Sequence, residues 1–279
     1  MATEAIKKIY RGVVSYLQYW RGEPVDTYKI YGVDDKSIPF YVENITGETE
    51  TLRISHPSGT RPPVITMEKS SDMVNWEEFG KTGGSTYYAP LTCDILPGER
   101  LYLRATSSTN TWCSFASASA SVVYNHITGV SKVGGNILSL LYGSSFNGNT
   151  SLPSTESDAY ASFGYLFLDN TNLRDAKHLK MASTLKVRCY YFMFNGCTNL
   201  ESAPVLPVST LETRCYARMF YGCTSLKHVE CHATNISAEG CLTNWMGNVP
   251  ASGTFVKKAS TTFPEGSSGI PSGWTIRNV

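Results

Sequence analysis

Met193-Phe194-Asn195-Gly196-Cys197-Thr198-Asn199-Leu200 is followed 26 residues later by Met219-Phe220-Tyr221-Gly222-Cys223-Thr224-Ser225-Leu226. A third copy, Leu166-Phe167-Leu168-Asp169-Asn170-Thr171-Asn172-Leu173, stands 27 residues before the first. A second register keeps the same step. Cys189-Tyr190, Cys215-Tyr216 and Cys241-Leu242 lie 26 residues apart, as do Leu185 and Leu211. Two registers that agree mark an internal repeat.

The period falls in the range of leucine-rich repeats. Within one unit, Ser209 with Glu212 three residues later has the form of a capping box. That predicts a short helix with Leu211, Cys215, Met219 and Phe220 as its apolar stripe and Gly222 as its end. Leu226, Val229 and Cys231 then predict a short strand, Val229 and Cys231 pointing inward. One such unit cannot bury its apolar face, but stacked units can. Residues 161–250 therefore read as a short leucine-rich-repeat-like solenoid, and 251–279 as its C-terminal cap.

Residues 126–160, just before the repeats, are rich in Gly, Ser and Asn and read as a junction. Its apolar run Asn136–Tyr142 is suited to closing one end of the solenoid. Residues 26–125 alternate strand-like runs with turn residues such as Pro57-Ser58-Gly59, Gly83-Gly84 and Pro97-Gly98, the pattern of an antiparallel β-sandwich. Trp76 and Trp112 are its expected core anchors. Residues 1–25 stand apart as an anchor or assembly segment. Ile6, Ile9, Tyr10, Leu17 and Trp20 fit one helical face, while Arg11-Gly12 equally suits a hairpin turn. The expected fold class is mainly β with short helices, an N-terminal β-sandwich followed by the solenoid.

Met219-Phe220-Tyr221-Gly222-Cys223-Thr224-Ser225-Leu226, preceded by Thr210-Leu211 and Cys215-Tyr216, resembles the BspA-like leucine-rich repeats of Bacteroides-type surface proteins and their phages. Gly253-Thr254-Phe255-Val256-Lys257-Lys258 and Gly269-Ile270-Pro271-Ser272-Gly273-Trp274-Thr275 resemble the C-terminal cap of that family. Ser71–Arg104 is similar to domains that often precede these repeats, and Ala5-Ile6-Lys7-Lys8-Ile9-Tyr10-Arg11-Gly12 to the start of many phage virion proteins. The resemblance implies a virion structural protein, a head or tail fibre or appendage. Its N-terminal segment would join other virion proteins or sister chains in a homo-oligomer, and its repeats would face a host-surface glycan or protein. A bacterial surface adhesin is the alternative. The opening Met1–Gly12 has no apolar core of a secretory signal. That fits production in the host cytoplasm and display on the virion surface.

Composition narrows the classes. The formal net charge is +1 with no basic block, which argues against a nucleic-acid partner. No apolar run approaches the roughly 20 residues of a membrane span. Six of the eight Cys lie in the repeats at repeat spacing, which predicts buried free thiols. Gly80-Lys81-Thr82 lacks the leading Gly of a phosphate loop, and no Gly-x-Ser-x-Gly elbow occurs. No facing pair of carboxylates is apparent for glycoside hydrolysis. No enzyme activity, cofactor or metal is expected. His228, Glu230 and His232 sit with Cys231, but strand alternation turns the three outward and Cys231 inward. They are the candidate ligand-contact face.

Overall fold

The computed structural model describes residues 37–57, 63–84, 89–106, 112–115, 122–147, 149, 151–152 and 162–279, with the backbone of two short strands before them. Those strands, β1 (Tyr19–Trp20) and β2 (Glu23–Pro24), pair antiparallel, Trp20 opposite Glu23. The helical face expected through Trp20 therefore does not reach it. Pro24 fixes its own φ and holds Glu23 extended, which suits both to a strand, while the turn expected at Arg11-Gly12 lies outside the described residues. Ile6, Ile9, Tyr10 and Leu17 lie outside the described residues.

The chain is mainly β, with one short α-helix among the described residues. The N-terminal strands are β3 (Tyr41–Glu43), β4 (Glu50–Ser55), β5 (Ile65–Ser70), β6 (Glu77–Thr82), β7 (Leu91–Ile95), β8 (Arg100–Ala105), β9 (Cys113–Phe115), β10 (Val122–Tyr124), β11 (His126–Thr128) and β12 (Lys132–Asn136). A three-stranded sheet runs β11-β4-β7. A second runs β12-β3-β8-β5-β6 and continues beyond β12. Alternation sets their faces. In β4, Leu52 and Ile54 are buried while Thr51 and Arg53 are exposed. Leu52 and Ile54 share one core with Val42, Ile65, Met67 and Leu103 of the second sheet.

Trp112 is fully buried in that core, and its indole N–H donates to the Leu140 carbonyl at 3.2 Å. Trp76 differs from expectation. It packs on the opposite face of the second sheet with Ile38, Tyr41 and Tyr102, under the Arg104 guanidinium at 3.8 Å. The reason is local. Asp72 accepts main-chain N–H bonds from Val74 and Asn75, which closes the 71–76 turn and brings the Trp76 indole N–H to the Met73 carbonyl.

β12 joins the two halves of the molecule. It is antiparallel to β3 and parallel to β13 (Asp175–Lys180). A side chain at Gly134 would enter the Tyr41 ring, and one at Gly135, with φ 72°, the Pro39 carbonyl. The Gly-rich stretch read as a junction is thus a strand lying directly against its neighbours. α1 (Ser139–Tyr142) follows it, and Ile137 donates to the Lys180 carbonyl at 3.2 Å. The apolar run 136–142 therefore sits where the N-terminal sheets meet the repeats.

Beyond β13 the strands remain parallel. Ser202 bridges Asp175 and His228, and β14 (His228–Cys231), β15 (Thr254–Lys257) and β16 (Thr275–Asn278) follow in order. Only bridges at Ser202 and Leu206 mark the position between β13 and β14, because Pro204 and Pro207 lack the N–H groups a ladder needs.

β13, the Ser202–Leu206 position, β14 and β15 are each preceded by a row of turns rather than the expected helix. In the row 214–223, alternate N–H groups have different partners. Arg214, Tyr216, Arg218, Phe220 and Gly222 donate at 2.8–3.0 Å to the carbonyls of Glu239, Cys241, Thr243, Trp245 and Gly247 in the next unit. Cys215, Ala217, Met219, Tyr221 and Cys223 donate back three residues at 3.0–3.3 Å. An α-helix would keep all these bonds inside the segment. Giving half of them to the neighbour flattens the row and forces left-handed backbone at every fourth residue. Arg188, Phe192 and Gly196 have positive φ, as do Arg214, Arg218 and Gly222, and Gly240, Asn244 and Asn248.

The rows stack their side chains in columns. Phe163, Tyr190, Tyr216 and Trp245 follow one another at 6.1, 6.1 and 6.4 Å between ring centroids. Phe40, Phe167, Phe194 and Phe220 follow at 6.2, 5.2 and 5.7 Å. Leu173, Leu200 and Leu226 are buried in equivalent positions, and each contributes roughly 1.5–3 kcal/mol of burial. Cys189, Cys197, Cys215, Cys223, Cys231 and Cys241 are free and buried. One continuous core runs from Phe40 to Trp274. It crosses the boundaries expected near residues 126, 160 and 250. No helix among the described residues is long and apolar enough to cross a membrane.

Candidate functional site

The outward face of the parallel strands carries the residues singled out from the sequence. β14 exposes His228, buries Val229 and Cys231, and leaves Glu230 half-buried; His232, just past its end, is half-buried too. The Nε2 atom of His232 lies 2.6 Å from Glu230 Oε1, an ion pair when the imidazole is protonated. His228 stands in register with Ser202 on one side and Thr254 on the other, and the row continues through Asp175 to Lys132 and through Thr254 to Thr275. Strands about 4.8 Å apart turn such a row into regularly spaced hydrogen-bonding groups. At the Lys132 end, Glu43 holds both Lys132, at 3.3 Å, and Arg100.

A second surface follows the turn rows and was not singled out from the sequence. Tyr124, Tyr165 and Phe192 stack at 4.5 and 5.1 Å, and the Arg218 guanidinium lies 5.3 Å from the Phe192 ring. Tyr221 flanks Arg218 at 5.6 Å and accepts a hydrogen bond from the Asn248 amide at 2.9 Å. The three rings are half-buried and Arg218 is exposed. Tyr165, Phe192 and Arg218 keep large side chains on left-handed backbone, where glycine is less costly by roughly 1–2 kcal/mol. The signal was present in the repeat as aromatic residues one step apart, but the helical reading gave them no common face.

A third group joins residues far apart in sequence. Ser55 Oγ lies 3.2 Å from His126 Nε2, across the β4–β11 pair. Burial, then the charges of Arg53 and His56, holds the His126 pKa down at about 4. Among the described residues its buried Nδ1 has no hydrogen-bond partner, so none of them supplies the carboxylate that orients the imidazole in a hydrolytic triad, and Ser55 is itself buried. No motif spacing marks this pair, because strand register alone brings the two together.

Among the described residues, no three His, Cys, Asp or Glu side chains converge to hold a metal ion. Cys231 is separated from His228, Glu230 and His232 by the sheet itself, its side chain lying in the core.

No family model, curated protein or solved structure matches the chain. The functional reading accordingly rests on the repeat, its faces and the sequence resemblance.

Proposed function

We propose that this chain is a non-enzymatic structural protein of a phage virion, a head or tail fibre or appendage. On this reading residues 26–125 form a β-sandwich, residues 126–160 a junction and cap, and residues 161–250 a short leucine-rich-repeat-like solenoid closed by residues 251–279. Residues 1–25 attach the chain to other virion proteins or to sister chains. The solenoid faces outward and contacts a host-surface glycan or protein, with His228, Glu230 and His232 on the contacting face. The protein is made in the host cytoplasm and displayed on the particle surface.

The observation that carries the reading is the row of lateral hydrogen bonds repeated from unit to unit, beside parallel strands or strand-position bridges. A quasi-one-dimensional stack builds its surface from side chains repeated at fixed intervals, which suits adhesion and display. The likeness of Met219–Leu226 to BspA-like repeats, and of Gly269–Thr275 to that family's C-terminal cap, supplies the phage setting.

Immuno-gold labelling of intact particles with antibodies raised against residues 162–279 tests this. Gold on the particle surface supports the proposal, and deletion of residues 2–22 should then abolish incorporation of the folded protein. Unlabelled particles, with gold confined to the surface of uninfected bacteria, would overturn it in favour of an adhesin.

A further inference from the structure

We draw no further inference here: the strongest candidate, the edge of β16 at the C-terminal end of the stack, where Ile276 is 50% exposed beside main-chain groups with no neighbouring strand among the described residues, carries nothing, because the strand is only four residues long and nothing in the structure shows what covers it.

Discussion

Tyr190 and Tyr216 hold the same position one unit apart, yet their hydroxyls fare differently. Tyr190 Oη accepts the Ala182 N–H at 3.0 Å, while the buried Tyr216 hydroxyl has no partner among the described residues. Tyr190→Phe strands a buried N–H and should cost about 1–3 kcal/mol. Tyr216→Phe removes an unsatisfied hydroxyl and should leave stability unchanged or raise it. Denaturant unfolding of both variants checks this, and equal losses would contradict it. The thiols give a pH prediction. Burial pushes Cys189 and Cys231 up to about 12 from an ordinary 9.0 and raises Cys197, Cys215 and Cys223 as well. The fold thus favours the neutral thiol. Its contribution is complete below pH 9 and is lost as pH rises from about 9 towards 12. Unfolding measured across that range should show falling stability, with a shallower slope in Cys189→Ala. In native protein the six buried repeat thiols should resist a thiol reagent at pH 8, while half-buried Cys93 is open to it, and denatured unreduced protein should release at least about six free thiols of the eight.

Glycine takes a left-handed position in the turn rows at Gly196 and Gly222. At Gly222, with φ 76°, an added methyl would meet nothing closer than the Gly196 backbone at 3.7 Å, so Gly222→Ala should lose only the conformational cost, about 1–2 kcal/mol. At Gly196, with φ 73°, the same methyl also collides with the Asp169 carboxylate. Gly196→Ala should therefore cost more, and thermal melts of the pair compare them directly. The rows also explain what the sequence could reveal. Buried Cys215, Tyr216, Met219, Phe220 and Cys223 fall at steps of four. At about 100° per residue they also fit one helical stripe, so nine residues cannot separate a period of four from 3.6. The unit, its strand and its inward residues were legible in the repeat. The turn geometry was not, because it depends on where the neighbour's carbonyls stand. Arg, Phe and Asn on left-handed backbone carry no sequence mark of it. The Ser55–His126 pair escaped for a related reason, since it depends on the β4–β11 register.

At the scale of the molecule, one core and one strand hold the halves together. The sequence separated residues 126–160 by their Gly and Ser content. In the fold those glycines are where Tyr41 and the Pro39 carbonyl press on β12. Composition that reads as a linker is here a close approach, which only long-range packing reveals. Two outcomes follow. Residues 37–279 should unfold in a single transition, seen alike by calorimetry and by tryptophan fluorescence. Gly134→Val, which drives a side chain into the Tyr41 ring, should lower that transition as a whole. A variant that melts in two steps would show the halves to be independent.

The direction of the lateral hydrogen bonds has a mechanical consequence. They run along the stacking axis, from one unit to the next. A pull along that axis loads them in tension, so the units part like a zipper, one row at a time and at low force. A pull along the strands loads whole rows together in shear, and every bond in a row must yield at once. A tether reaching this protein through the flank of its stack would hold far harder than one fixed to the end.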